Sequence, residues 1–335
     1  MRALLMCPGR GSYGRDHLGT LQVESPLLDR LDEIRAANGR PTLRQLDGAE
    51  RFSPRQHLAG EHASLLTFGA TALDVAALDP AKVSVVGVAG NSMGWYSALW
   101  AAGALDLDDA ARLIETLGGY QENNVIGAQL LYPICDEQWR PDPALRAHAD
   151  AALQLDGVYL SIRLGGTVVF GVTAEGQRLL QAHLPKLQRG EREFPLQLPL
   201  HSAFHTPLMA EASERALADL ADLGWRSPRH PLISGEGRLY NTRANPSSIA
   251  DYTLTTQVVE PFDLSLCVAK AMGELAPDVV LLPGPGESLG APVAQILIAL
   301  GWRGLRDRRD FSEAQASDQP VLLSMARPDQ RALLT

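Results

Sequence analysis

Short apolar runs alternate with longer segments of helical spacing along the first third of the chain. Two runs predict buried strands, residues 2–7 (RALLMC) and 83–88 (VSVVGV). Three segments predict helices: 62–78, 95–105 and 108–121, the last starting at Asp106 or Asp108. This alternation predicts an α/β fold with a parallel sheet.

The pattern changes from about residue 125. Strand-like runs follow at 128–134, 158–164, 166–173 and 193–200, and helix-like segments at 142–155 and 175–187. Two strand–helix–strand units within so few residues predict a compact α+β insert. The pattern therefore divides the chain into a large domain (1–124 and 200–310) and a small inserted domain (125–199).

The last third returns to the first pattern. Residues 212–225 predict an amphipathic helix, and 279–300 predict a buried strand, a Gly-Pro-Gly turn and a helix. After about residue 310 the chain is polar and rich in Gln, Asp and Ser. We therefore expect a loosely packed C-terminal tail at 311–335.

The composition of the chain limits the classes of partner that it can bind. The chain has 335 residues, 45% of them apolar, and a net charge of −9. Apolar content is sufficient for a core, and the acidic balance argues against nucleic acid or a membrane as partner. Three scattered cysteines (Cys7, Cys135 and Cys267) lack metal-ligand spacing, which predicts no metal site and a reducing cytoplasm.

The most informative short segment is residues 90–94 (GNSMG), between a predicted strand and a predicted helix. A serine in G-x-S-x-G is exposed on a tight corner, and the helix start aims amide N–H groups at it. This arrangement suits an oxyanion formed when Ser92 attacks a carbonyl. The alternative is a tight turn that only packs the helix on the strand.

A serine hydroxyl needs a base to become a nucleophile. His201 and His205 both lie in the segment that follows the last strand of the predicted insert. Their spacing does not choose between them.

Six segments carry a family resemblance, in one order along nearly the whole chain. They are residues 8–12 (PGRGS), 90–94 (GNSMG), 110–115 (AARLIE), 204–209 (FHTPLM), Gln257 with Pro261, and 284–286 (GPG). In these the chain resembles the malonyl-CoA:acyl carrier protein transacylases of fatty acid synthesis and the acyltransferase domains of polyketide synthases. The resemblance implies an α/β-hydrolase-like large domain with an inserted ferredoxin-like small domain.

The resemblance also implies roles. Ser92 would be the nucleophile and His205 its base, with the residue at Gln257 orienting the histidine through a main-chain carbonyl. The amides of Arg10 and Met93 would form the oxyanion hole. An acyl group would pass from coenzyme A to Ser92 and then to the phosphopantetheine thiol of an acyl carrier protein, with no permanently bound cofactor. Many relatives are monomers, which implies a monomer here.

The chain departs from the family at the acyl pocket. Relatives that use malonyl groups carry an arginine where this chain has Leu117, and that arginine pairs with the free carboxylate. Leu117 therefore predicts a neutral acyl group, because an unpaired buried carboxylate costs several kcal/mol. The rival prediction is a malonyl transferase in which Arg163 or Arg10 supplies the charge.

Other changes also lie near the serine. Asn91 replaces a histidine and is expected to support the turn by hydrogen bonding, whereas Trp95 replaces a glutamate and is expected to line or block the acyl channel. Phe204 is expected to limit bulk at the α-carbon of the acyl group.

Two other functions fit the same residues. The protein could hydrolyse acyl-carrier thioesters, or it could be a non-catalytic scaffold on the same fold. Carrier proteins are acidic, so docking would need a basic patch. The candidates are Arg303, Arg306, Arg308 and Arg309 in one segment, and Lys186 with Arg189 in the insert.

Overall fold

Residues 1–120 and 125–335 are described by the structure, which is a computed structural model. The strands are β1 Arg2–Cys7, β2 Ser84–Gly90, β3 Ala128–Pro133, β4 Val158–Leu164, β5 Thr167–Val172, β6 Leu187–Arg189, β7 Arg192–Phe194, β8 Leu196–Gln197, β9 Leu232–Ile233, β10 Leu239–Tyr240, β11 Phe262–Asp263, β12 Val279–Leu282 and β13 Leu322–Ser324. The helices are α1 Pro26–Ala37, α2 Leu43–Asp47, α3 Pro54–His57, α4 Gly60–Ala76, α5 Gly94–Ala101, α6 Leu107–Gly119, α7 Pro143–Ala152, α8 Ala174–His183, α9 Ala210–Asp219, α10 Pro246–Leu254, α11 Thr256–Val259, α12 Leu264–Leu275, α13 Gly290–Ala299, α14 Arg308–Gln315 and α15 Pro328–Arg331.

The larger sheet has the strand order β10-β9-β2-β1-β12-β13 and is parallel except for the β9–β10 pair. Strand β1 lies near its centre, between β2 and β12. Ala3 and Leu5 of β1 pack into one apolar cluster with α4, α5 and α6, whereas Leu4 and Met6 pack into a second cluster with α12 and α13. Because side chains alternate between the faces of a strand, an apolar run without polar interruptions is buried on both faces. The predicted α/β class with a parallel sheet is confirmed.

The predicted loose tail is wrong for its central part. Strand β13 pairs in parallel with β12 at the edge of the larger sheet, and Leu322 and Leu323 are buried. The Gln315 side chain fixes this edge, because its Oε1 accepts from the main-chain N–H groups of Val321 and Leu322. Residues 321–325 therefore belong to the core.

A second sheet has the order β11-β4-β5-β3-β8. Its antiparallel strands β3, β4, β5 and β8 come from the predicted insert, and α7 and α8 cover one face through Leu145 and Leu180. Strand β11 extends this sheet from outside the predicted insert, pairing in parallel with β4. The domain boundaries remain a prediction, and residues 121–124, where the first boundary falls, lie outside the described residues.

Several predicted helices and strands end at other residues in the structure. The helix predicted over 95–105 ends at Ala101, and the one predicted over 212–225 ends at Asp219. The strand predicted over 193–200 is broken into two pieces: its first two residues belong to the end of β7, and Leu196–Gln197 form β8. Prolines at 195 and 199 interrupt the pairing, because proline has no N–H to donate to a neighbouring strand. Gln121, the last residue of the helix predicted over 108–121, lies outside the described residues.

Three findings concern the described residues as a set. None of the helices in residues 1–120 and 125–335 is long and apolar enough to cross a bilayer. No group of three or more His, Cys, Asp or Glu side chains in these two ranges is arranged to hold a metal ion. All three cysteines are free and buried.

Candidate active site

Ser92 lies on the sharp turn between β2 and α5, with a φ angle of 54°. The turn depends on its glycines, because a Cβ atom at Gly90 would lie 2.1 Å from the main-chain oxygen of Gly94. A Cβ atom at Gly94 would lie 2.3 Å from the main-chain oxygen of Cys7. Only glycine therefore allows the helix to start this close to β1, with the serine at the apex.

His205 faces this serine. Its Nε2 atom lies 2.7 Å from Ser92 Oγ, and its Nδ1 atom lies 2.5 Å from the main-chain oxygen of Gln257. A carbonyl oxygen only accepts, so Nδ1 carries the hydrogen and Nε2 presents its lone pair to the serine hydroxyl. The structure thus brings together the two residues to which the resemblance gives the roles of nucleophile and base.

The imidazole of His205 is neutral near pH 7. Burial lowers its pKa to about 4, and the bond to the Gln257 oxygen opposes that shift. A neutral imidazole with its lone pair on the serine is the form a general base requires.

The side chain of Gln257 makes contacts that the sequence did not reveal. Its Nε2 atom donates to the main-chain oxygen of Ser92 at 3.1 Å, and its Oε1 atom accepts from the Tyr96 hydroxyl at 2.6 Å. Tyr96 was not among the predicted site residues. The sequence carried no clear signal for it, because Ser92 lies before the start of α5 with a positive φ angle and helical spacing does not relate the two residues.

Ser92 and His205 open into a cavity of about 40 Å³. That volume is a few times the minimum that holds one water molecule, about 10–15 Å³. Its apolar wall comes from Met93, Tyr96, Ile114, Leu117 and Phe204, and its polar wall from Arg10, Ser64, Gln129, His201 and Ser202. Leu117 and Phe204 are thus brought to the cavity, and Leu117 is only 2% exposed.

Arg10 contributes a cation to the wall of the cavity. Its Nη2 atom donates to the main-chain oxygens of Leu58, at 2.9 Å, and Leu200. Burial lowers the pKa of the guanidinium to about 10, and nearby Glu61 opposes that shift, so Arg10 stays charged near pH 7.

The loop of residues 8–10 also passes directly beside the serine turn. A Cβ atom at Gly9 would lie 2.8 Å from the main-chain oxygen of Asn91. Met93 is the N-cap of α5, so its amide belongs to the first turn of that helix.

Three predicted pocket residues are not among the described residues that line the cavity. Trp95 is fully buried in the core, where its Nε1 atom donates to Thr253 Oγ1 at 2.9 Å, so the expectation that it lines or blocks the channel is wrong. The Arg163 guanidinium lies 3.5 Å from the Asp263 carboxylate, outside the cavity lining. Asn91 holds the turn through its main-chain groups, which bond to Cys7 and Gly94.

His201 takes a different position from His205. It lines the cavity, but its Nδ1 atom lies 2.9 Å from the main-chain oxygen of Pro199. Burial, followed by the charge of Arg10, lowers its pKa to about 3.

Both predicted basic patches contain ion pairs. Arg306 pairs with Asp310 and Arg309 with Glu313, while Arg303 and Arg308 stack on tryptophan rings. In the insert, Lys186 pairs with Glu193, and Arg189 pairs with Glu137. Local ion pairs therefore offset part of the positive charge in each segment, and whether either one docks a carrier protein stays a prediction.

Comparisons with known proteins bear on the family resemblance and on the fold. No protein-family model matches the chain. The malonyl CoA-acyl carrier protein transacylase of Escherichia coli K12 is 25% identical over 310 residues, covering 88% of this chain and 92% of that protein. The resemblance to the malonyl transacylases is confirmed, and the low identity makes this chain a divergent relative.

Solved structures share the fold. The malonyl-CoA:ACP transacylase of Synechocystis sp. PCC 6803 superposes with a TM-score of 0.76 at 17% identity, with full coverage of both chains. A malonyl transacylase solved in complex with a type II polyketide synthase acyl carrier protein superposes with a TM-score of 0.72 at 18% identity, covering 98% of this chain and 97% of that one. The predicted fold, a large α/β part with a parallel sheet plus a small ferredoxin-like part, is confirmed.

Proposed function

We propose that this divergent relative of the malonyl transacylases is an acyltransferase that carries an acyl group on Ser92 between two thioesters. The observation that supports the proposal is the 2.7 Å contact between Ser92 Oγ and His205 Nε2, with the imidazole held by Gln257. A scaffold would not need this geometry or the strained turn that exposes the serine.

In the first half-reaction, Ser92 Oγ attacks the carbonyl carbon of an acyl-coenzyme A thioester while its proton passes to His205 Nε2. The tetrahedral oxyanion then collapses, the carbon–sulfur bond breaks, and His205 returns the proton to the departing sulfur. The products are acyl-Ser92 and coenzyme A as the free thiol.

The oxyanion is expected to form beside the first turn of α5. The amides of Met93 and Arg10 are its donors in this proposal, supported by the position of Met93 at the helix start and by the close approach of Gly9 to the turn. Preorganised amides of this kind contribute about 3–4 kcal/mol to a transition state.

In the second half-reaction, the phosphopantetheine thiol of an acyl carrier protein attacks acyl-Ser92, and His205 takes and returns a proton in the same way. The relative solved in complex with a carrier protein supports this choice of acceptor. Hydrolysis is the rival outcome, in which water replaces the thiol.

We further propose that the acyl group is small and neutral. Leu117 lies in the cavity wall and offers no partner to a free carboxylate, and a buried carboxylate without a partner costs several kcal/mol. The cavity of about 40 Å³ matches a group of few atoms.

One observation favours malonyl as a second candidate. The Arg10 guanidinium lies in the cavity wall and stays charged near pH 7. Against it, Nη2 already donates to the oxygens of Leu58 and Leu200, which hold the guanidinium to the main chain. Arg163, the other predicted source of charge, pairs with Asp263 instead.

The test is to incubate the protein with acetyl-, propionyl-, butyryl- and malonyl-coenzyme A and to read the mass added to Ser92. Acetyl loading that Ser92→Ala abolishes, with transfer to added carrier protein, is the expected result. Efficient malonyl loading that Arg10→Gln removes would instead establish the second candidate. Rapid loss of the acyl group without carrier would identify a hydrolase, and no adduct with any thioester would contradict the proposal.

A further inference from the structure

We infer that Tyr96 is a positioning residue for the Ser92–His205 pair and that it acts through the side-chain amide of Gln257. The inference rests on the proposed function, because it assigns a role in activating the same serine. It goes beyond the histidine-orienting carbonyl, since it concerns the side chain of Gln257 and a tyrosine on another helix.

Hydrogen-bond chemistry fixes the direction of every contact. The main-chain oxygen of Ser92 only accepts, so the Gln257 atom 3.1 Å from it is the amide nitrogen. The amide oxygen must then face Tyr96, and the tyrosine hydroxyl, 2.6 Å away, must donate to it. When Tyr96 donates this hydrogen bond, the Gln257 side-chain amide has only one orientation in which its oxygen and its nitrogen are both hydrogen-bonded.

Gln257 therefore contacts both members of the pair. Its main-chain oxygen receives the hydrogen of His205 Nδ1, and its side-chain nitrogen holds the carbonyl of Ser92. That carbonyl also accepts from the main-chain N–H of Trp95 at 3.0 Å. The strained turn at Ser92 is thus tied to the residue that orients the imidazole, and the distance between nucleophile and base depends on the Gln257 rotamer.

Burial makes this network sensitive to a single missing bond. Tyr96 and Gln257 are 4% and 2% exposed. Burial also raises the pKa of the Tyr96 phenol well above its usual value, so the donor proton is retained throughout the working pH range. Without the hydroxyl, the amide oxygen would lack its donor in a site largely closed to water, and the side chain would reorient.

The first experiment compares Tyr96→Phe with the wild-type protein, using a fluorophosphonate as the probe of Ser92. We expect the second-order labelling rate to fall about tenfold, as the loss of one buried hydrogen bond predicts. In acyl loading, kcat should fall by a similar factor while KM for the thioester stays unchanged, because the phenyl ring still lines the cavity.

Tyr252→Phe is the matched control. It removes another buried tyrosine hydroxyl, the one that accepts from the main-chain N–H of Gly235 at 2.8 Å. Within residues 1–120 and 125–335, no hydrogen bond joins Tyr252 to Ser92, His205 or Gln257. Its thermal stability should drop while its labelling rate stays at the wild-type value.

A double-mutant cycle separates positioning from loss of stability. Gln257→Leu removes the amide but keeps the main-chain carbonyl that holds His205. If Tyr96 acts through this amide, Tyr96→Phe should add no further loss of labelling when it is combined with Gln257→Leu. Multiplicative losses, or a Tyr96→Phe variant labelled as fast as wild type, would overturn the inference.

If Tyr96→Phe does not fold, Gln257→Glu provides a second test. Its side chain keeps an acceptor for the Tyr96 hydroxyl but has no N–H to donate to the Ser92 carbonyl, so the labelling rate of Ser92 should fall at neutral pH. Unchanged labelling would overturn the inference. A wild-type protein that neither fluorophosphonates nor thioesters label would instead contradict the proposed function itself.

Discussion

Ser92 and His205 both adopt positive φ angles, 54° and 62°. Such backbone conformations cost about 1–3 kcal/mol each in residues with side chains and persist only where surrounding contacts enforce them. Here the contacts are the glycines around Ser92 and the bond from the His205 N–H to the Val258 oxygen at 2.8 Å. The strain exposes the serine and turns the imidazole towards it.

The pH profile of Ser92 acylation follows from the burial of His205. With a pKa of about 4, the imidazole is neutral above about pH 5, so the acylation rate should be constant there and fall about tenfold per unit below the pKa. Acylation rates from pH 4 to 8 check this. A midpoint near the ordinary histidine value of about 6.5 would show that the base is solvated.

Leu117 is the residue at which acyl choice can be changed most directly. Leu117→Arg should raise malonyl loading relative to acetyl loading by at least tenfold, because a guanidinium in the cavity wall can pair with the free carboxylate. Leu117→Met, neutral and of similar volume, is the control and should leave the ratio unchanged. An equal ratio of malonyl to acetyl loading in both variants would show that the residue at position 117 does not determine whether a charged acyl group is accepted.

At the scale of elements, α4 and α6 cross at two glycines beside the cavity. A Cβ atom at Gly60 would lie 2.4 Å from the Gly118 oxygen, and one at Gly118 would lie 2.5 Å from the Gly60 oxygen. This close approach brings Ser64 of α4 and Leu117 of α6 into the same cavity wall. The size of the acyl pocket is therefore set by the helix crossing as well as by its side chains.

Gly118→Ala should force these helices apart. The expected cost is about 1–3 kcal/mol of unfolding free energy, with a raised KM for the acyl donor because the wall moves. Gly273→Ala on α12 is the control, since nothing lies within 4 Å of its Cβ position and alanine favours a helix. Urea unfolding measures the stability of both variants, and acyl-loading kinetics measure their KM. A Gly118→Ala protein as stable as the wild type would contradict the close approach of α4 and α6 at this residue.

Strong local signals predicted most of these elements, and the failures have physical causes. The strand of 2–7 was predictable because it is buried on both faces and so reads as an apolar run. The strand of 83–88 was predictable from its valines, although Ser84 is exposed and Val85 and Val86 are half-buried. Trp95 was misassigned because its place in the motif is beside Ser92, yet the first turn of α5 rotates its side chain into the core against Tyr240 and Tyr252. Tyr96, the next residue, was missed for the same reason, since a helix start cannot be phased from sequence alone.

At the scale of the whole molecule, the C-terminal segment completes the larger sheet. The strand β13 was not predictable because the apolar segment around it, residues 321–325 (VLLSM), is too short to show periodicity. Its side chains alternate between the two apolar clusters, with Leu322 in one and Leu323 in the other. The segment therefore joins the layers on both faces of the sheet.

Leu323→Ala should lower the unfolding free energy by about 2–5 kcal/mol, as large-to-small changes in a packed core do. Leu333→Ala is the control, because that side chain is 54% exposed, and its cost should stay below about 0.5 kcal/mol. Chemical denaturation of both variants checks this. Equal small effects would mean that 322–324 is not part of the cooperative core.

The place of β1 in the larger sheet has a consequence for how the protein is made. Ala3 to Leu5 pair on one side with β2 and on the other with Val279 to Leu281 of β12. A ribosome delivers the first partner early and the second only after most of the chain has emerged. Until then the nascent polypeptide carries an apolar strand with one open edge, which favours aggregation and offers a chaperone a segment to bind.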